Sequence, residues 1–299
     1  MRLIIAVALS ILVWACDYSY DHFEVYQDAM TPVKLGEGSL SVDSVQWNNA
    51  YASNTGELYF TKMGETASTI HKMKYENGSF SGEEEIPLPK GTPHSDVYVN
   101  TDGDLMLFSS LMQEQHNDTV SDWNIWKSVK TAGQWQEPQP FFKENLEGNQ
   151  FYPWLTASGN LYFAIAPHGS ANSDLYVSTI RDGDYLSPRA LTTINSENLE
   201  GDAFVSADES FIVFAGFDRA ENLGKSDLFI SFNENGQWSA PIWMGGEINS
   251  EGYDGSPFVT QDGKYLIFTS SRGSTDDNTF FNHYIVRLDI NKFKSKNEQ

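Results

Sequence analysis

The sequence predicts an all-β fold closed into a ring of repeated antiparallel sheets, and two observations carry that reading. Pro32, Pro87, Pro138, Pro188 and Pro241 recur at intervals of 55, 51, 50 and 53 residues, each at the same point of a repeated pattern. Within each repeat the apolar residues follow the period of two that belongs to strands. A unit of about 50 residues repeated along a chain marks a solenoid or a propeller. The strand period selects a single β-propeller of four-stranded antiparallel blades.

The first two strands of each blade are read from paired apolar runs joined by a tight turn. The clearest copy runs from Asp254 to Thr260, turns at Gln261-Asp-Gly-Lys264 and continues through Tyr265 to Ser270. An Asp-Gly pair between apolar runs is a hairpin signal, because glycine reaches positive φ without a Cβ clash. Equivalent hairpins lie at Asp96 to Phe108, Tyr152 to Phe163 and Asp202 to Phe214, with a less regular one at Ala50 to Phe60. The third strand reads Ser173-Asp-Leu-Tyr-Val-Ser178 and Ser226-Asp-Leu-Phe-Ile-Ser231, with looser copies at Ser68 to Met73, Trp123 to Ser128 and Asn282 to Arg287. The fourth opens with Gly-x-aromatic-x-x-Pro at Gly133 to Pro138, Gly183 to Pro188 and Gly236 to Pro241. Proline has no ladder donor and belongs on an edge strand, which the outermost strand of a blade is.

The chain holds five copies of the first three strands, and the fifth has no fourth strand after it. Met30 to Gly36 matches Ala240 to Gly245 and is expected to supply the missing outer strand, so that pairing of the chain ends closes the ring. Five blades follow. A six-bladed ring is the alternative, but residues 22–45 are too few for a further full blade. The links from second to third strand and from blade to blade are the long ones, and their face is expected to be the functional one.

The expected organisation is a signal peptide at 1–16, a tether at 17–29, the propeller at 30–291 and a polar tail at 292–299. Arg2, the apolar run Leu3 to Trp14 and the small Ala15 describe a secretory signal. Cys16 is the only cysteine and stands where an exported bacterial lipoprotein carries its lipid, in Val13-Trp-Ala-Cys16. Membrane attachment is therefore expected through a lipid anchor only. Formal net charge is −22, from 41 acidic and 19 basic residues, which excludes nucleic acid as a partner and disfavours an anionic membrane surface.

The Gly-x-aromatic-x-x-Pro, Ser-Asp-Leu-aromatic-aliphatic-Ser and Asp-Gly elements resemble the TolB-type, WD-like β-propeller repeats of bacterial envelope proteins. Glu200 to Pro241 and Asp254 to Arg272 carry the resemblance best, and it extends over residues ~30–290. It implies a propeller in the bacterial cell envelope, periplasmic or surface-facing. It implies no single activity, because such repeats serve translocation systems, peptidoglycan-binding proteins and peptidase lids alike.

Aligning the blades on Tyr51, Tyr98, Trp154, Phe204 and Phe258 places two sets of residues at the start of the innermost strands. Four positions earlier stand Trp47, His94, Gln150, Glu200 and Asp254; two positions earlier stand Asn49, Asp96, Tyr152, Asp202 and Ser256. His94, Asp96, Tyr152, Glu200, Asp202 and Asp254 are thus expected at the mouth of the central channel. Carboxylates there could serve a glycosidase as acid and base, set about 5–9.5 Å apart. They could hold Ca²⁺ with water, receive a peptide or glycan without reaction, or cap turns. Asp174 and Asp227 recur in the third-strand motif and read as turn caps. Arg219 and Arg272 follow the second strand on the loop-rich face, as anion binders or as partners of nearby acids. His71 and His168 have no partner at metal-ligand spacing, so no zinc site is expected. No Gly-x-Ser-x-Gly, Walker-type loop or His-Glu-x-x-His is present. The expectation is a noncatalytic envelope platform for a protein, peptide or glycan, with no required cofactor and Ca²⁺ compatible. A glycoside hydrolase or lyase built on the channel carboxylates is the alternative.

Overall fold

The structure, a computed structural model, describes residues 22–113, 121–143, 146–275 and 278–297. Five antiparallel sheets form a five-bladed propeller. Blade 1 comprises Gln46–Ala52, Glu57–Met63, Ser68–Glu76 and Ser79–Glu85, counted from the axis outward. Blade 2 comprises His94–Val99, Leu105–Ser110, Asn124–Thr131 and Gln139–Pro140. Blade 3 comprises Asn149–Leu155, Leu161–Ala166, Asp174–Ser178 and Arg189–Ala190. Blade 4 comprises Glu200–Val205, Phe211–Phe217, Ser226–Glu234 and Ile242–Trp243.

Blade 5 takes Asp254–Val259, Tyr265–Ser270 and Asn282–Arg287 from the C-terminal region and Val33–Lys34 from the N-terminal one. Val33 stands opposite Ile285 and Lys34 opposite Tyr284. The Leu35 N–H donates to the His283 carbonyl at 2.8 Å, and Ser41 Oγ donates to the carbonyls of Leu35 and His283. Leu35 and Leu40 are buried against this seam. The sequence's two ends therefore share a blade.

Each blade contributes one phenylalanine from its second strand to the space between sheets. Phe60, Phe108, Phe163, Phe214 and Phe268 are all fully buried, each worth roughly 1.5–3 kcal/mol of burial. The expected fourth strand is divided in three blades. Gln134–Trp135, Asp184–Tyr185 and Gln237–Trp238 form short hairpin ribbons, and a second short strand resumes at or after the proline. Proline breaks the ladder because it brings no donor.

Both chain ends differ from expectation. Within the segment read as a tether, Phe23 is buried and stacks on Tyr75 at 4.8 Å, ahead of a 3-10 turn at Glu24–Tyr26. Within the segment read as a polar tail, Asn291–Asn297 forms a helix whose Phe293 is buried in the core. Aromatic residues pin each polar segment to the ring, Phe23 with Tyr26 at one end and Phe293 at the other. The signal segment and Cys16 lie outside the described residues. Among the described residues no helix is long and apolar enough to cross a membrane.

Candidate functional site

The innermost strands all bend at the same place. Each carries a register shift where two residues oppose one on the neighbouring strand. At that bulge Asn48, Asp96, Tyr152, Asp202 and Ser256 take positive φ between 48° and 69°. Such a conformation costs a non-glycine residue about 1–3 kcal/mol and persists only when its surroundings enforce it. In blade 1 the bent residue is Asn48, one before the position that the aromatic alignment assigns to Asn49.

What enforces the bend is a hydrogen-bonded girdle running from blade to blade. The Asp96 N–H donates to Asn48 Oδ1 at 3.1 Å, and the Tyr152 N–H donates to the Asp96 carboxylate. The Tyr152 hydroxyl donates to Asp202, whose Oδ2 also accepts from the Ser256 N–H at 2.7 Å. Asn49 Nδ2 donates to the Ser256 carbonyl at 2.8 Å and returns the circuit to blade 1. Within this girdle the axis narrows to a cavity of about 30 Å³, room for roughly one water molecule. Burial, with the Asp202 charge beside it, pushes the Asp96 carboxyl up to about 7 despite hydrogen bonds from Ser95 and Tyr152. Burial likewise raises Asp202 above the usual carboxylate range.

Of the residues four positions before the aromatic anchors, Trp47 reaches Asp96 with its indole, whereas His94, Glu200 and Asp254 do not join the girdle. Glu200 is fully buried, and its Oε1 takes Arg219 Nη2 at 2.7 Å and Ser196 Oγ at 2.6 Å. Arg219 also donates to the Ile194 carbonyl and lies over the rings of Phe214 and Phe229. Blade 5 repeats the arrangement. Asp254 takes Arg272 Nη2 at 2.9 Å and the Ser250 N–H at 2.6 Å, while Arg272 donates to the Ile248 carbonyl and covers Phe268 and Tyr284. In blade 2, His94 donates from Nε2 to the Pro89 carbonyl and sits 2.9 Å from Ser110 through Nδ1, and burial lowers its pKa. These residues clasp interblade loops to strand starts. Asp227 caps similarly, accepting the N–H groups of Leu223 and Gly224. Of the six expected channel residues, then, Asp96, Tyr152 and Asp202 meet at the axis. His94, Glu200 and Asp254 are turned into the blades, and the loop-face arginines Arg219 and Arg272 are the partners of Glu200 and Asp254. Among the described residues no three His, Cys, Asp or Glu side chains gather as a metal site.

The large cavity lies on the opposite face from the long loops. Beyond the girdle, Tyr51, Tyr98, Trp154, Phe204 and Phe258 converge from five blades as a floor across the channel. Ring centroids are 5.1 Å apart for Tyr98 and Trp154, 4.8 Å for Trp154 and Phe204, and 5.8 Å for Phe204 and Phe258. Above this floor a funnel of about 1000 Å³ opens between the turns that join first to second strands. Those turns are short and small-residued, with exposed Ala157 and Ala207 at the lip, so among the described residues no loop roofs the funnel. His22 and Phe23 line one side, and His22 Nδ1 is hydrogen-bonded to the Tyr51 hydroxyl. An aromatic at the same position in four repeats, and one residue further on in blade 1, was the available signal for this site. Its convergence on the axis is a property of the closed ring alone.

The fold and this cavity define a five-bladed propeller with an aromatic-floored axial funnel. No family model and no curated protein matches the chain. Solved structures similar to it include TolB from Acinetobacter baumannii, at 15% identity and a TM-score of 0.51 over 82% of this chain and 55% of that one. A putative TolB from Agrobacterium tumefaciens is similar over 82% of this chain and 91% of that one, with 14% identity and a TM-score of 0.53. A thermostable family-43 glycoside hydrolase is similar over 85% and 92%, with 10% identity and a TM-score of 0.58. This chain spans just over half of the Acinetobacter protein, and at such identities the likeness is one of fold.

Proposed function

We propose that the protein is a noncatalytic binding module whose ligand sits in the axial funnel. One observation carries the reading: the spacious cavity and the paired acids are on opposite sides of the aromatic floor. A glycosidase needs its acid and its base or nucleophile flanking the scissile bond. Here Asp96 and Asp202 border about 30 Å³ and spend their oxygens on the N–H groups of the next blade. The funnel offers apolar area and polar rim groups, the composition of a ligand pocket. Export on residues 1–16 with a lipid on Cys16 would hold this module at the cell envelope.

Hydrolysis remains the reading to defeat, because a carboxyl raised to about 7 beside a second acid is also how a general acid is prepared. The test incubates wild type and Asp96→Asn/Asp202→Asn with a polysaccharide panel and assays reducing ends. No release by wild type is expected. Release that disappears in the double variant, with its melting curve intact, would overturn the binding module.

A further inference from the structure

On the basis of that funnel reading, we propose that the ligand is the end of a neutral oligosaccharide, taken ring-face down on the aromatic floor.

Three features of the funnel select this class. Its floor is lined by five aromatic side chains, of which Trp154 is the most exposed, and the electron-rich face of such a ring attracts the positively polarised C–H face of a pyranose or furanose. Its wall includes amides and hydroxyls, among them Asn54, Asn100, Thr101, Ser206, Ser210 and Gln261, beside Val99, Leu155, Val205 and Val259. A purely apolar ligand would strip water from these groups and return no hydrogen bonds. A ring of sugar hydroxyls donates and accepts around its whole circumference and matches them.

The charges decide against the competing polar ligands. Among the described residues no lysine or arginine lines the funnel. The lining carboxylates, Asp208 and Asp262, are exposed on the rim. Hydrogen bonds from the Ser210 side chain and N–H hold Asp208 below the usual carboxylate range. An ionised carboxylate is acceptor-only and suits the hydroxyl pair of a sugar. The same carboxylates, with a formal net charge of −22 around them, repel uronates, phosphates and a peptide carboxylate. A cavity of about 1000 Å³ is at the large end for one ligand and accommodates a short oligosaccharide segment.

The experiment is calorimetric titration of the intact protein with neutral trisaccharides of gluco-, manno-, xylo- and arabino-type, with trigalacturonate, and with acidic and basic tripeptides. At least one neutral trisaccharide is expected to bind without reducing-end release. Trp154→Ala is expected to weaken it by about tenfold through loss of ring stacking. Because Trp154 also packs the floor, Ala207→Trp serves as the second variant. It obstructs the funnel from an exposed turn whose backbone carbonyl bond to Ala157 is kept, and it is expected to weaken the same sugar with an unchanged melting temperature. Silence across the neutral panel at millimolar concentration overturns the inference. Trigalacturonate or a tripeptide binding instead, sensitive to Ala207→Trp, overturns the ligand class while the funnel stands. Neutral sugar binding indifferent to Ala207→Trp and Trp154→Ala overturns the funnel reading itself.

Discussion

Removing the Glu200 carboxylate separates a structural clasp from a ligand-binding acid. Glu200 is completely buried, and its two oxygens accept from Arg219 Nε and Nη2 and from the Ser196 N–H and hydroxyl. In Glu200→Ala the guanidinium keeps only the Ile194 carbonyl and the faces of Phe214 and Phe229. Stripping one partner from a buried pair costs about 3–5 kcal/mol, because the remaining charge is left without compensation. For a domain of this size each kcal/mol moves the melting temperature by about 2–4 °C, so a fall of roughly 6–20 °C is expected. Adding Arg219→Leu removes the orphaned charge and should restore part of the loss, giving a favourable coupling of about 1–3 kcal/mol in the double-mutant cycle. Scanning calorimetry reads the stability, and titration of a funnel ligand reads the function. A Glu200→Ala protein that melts within about 2 °C of wild type yet loses its ligand would refute the clasp.

Other outcomes follow from the same geometry. Leu35→Ala at the buried seam of blade 5 should cost about 2–5 kcal/mol in urea unfolding, whereas a surface-like change below 0.5 kcal/mol would deny the closure its role. The Asp96 carboxyl binds a proton more tightly in the folded state, so its contribution is fully present below pH about 4 and fades as pH rises through about 7. Buried His283, pushed down to about 3, acts oppositely, its contribution fading as pH falls below about 6.5. Asp96→Asn isolates the first: between pH 5 and 7.5 it should gain about 2.5 kcal/mol on wild type, and parallel pH profiles would sink the assignment. Cys16→Ser should move the protein from the membrane to the soluble fraction of its native host, and unchanged fractionation would rule out a lipid anchor.

Much of the architecture could be read in the chain because repetition multiplies weak signals. One proline or one Asp-Gly turn says little, but Pro32 to Pro241 at near-equal spacing specifies blades, and the match of Met30–Gly36 to Ala240–Gly245 specifies how they close. The site was less legible. A non-glycine residue in the left-handed region leaves no mark in sequence, so the girdle through Asn48, Asp96 and Tyr152 could not be drawn and blade 1 was aligned one residue out. The acids of Glu200 and Asp254 were visible, as was a pairing of Arg219 and Arg272 with nearby acids, but not which acid each arginine meets. Long loops drew attention to one face of the ring. The funnel opens on the other, where the short turns with Ala157 and Ala207 do not cover it. Hydrophobic pinning also crosses apparent boundaries, as Phe23 and Phe293 show at either end.

The central claim is that the axis is divided, with binding above the aromatic floor and hydrogen-bonded acids below it. A crystal structure of the protein saturated with the neutral trisaccharide that titrates tightest tests this directly. Density stacked over Trp154 and Phe204, with its hydroxyls toward Asn100 and Gln261, is the result expected. A sugar lodged among Asp96, Tyr152 and Asp202 on the loop-rich side, or a cleaved product there, would contradict it.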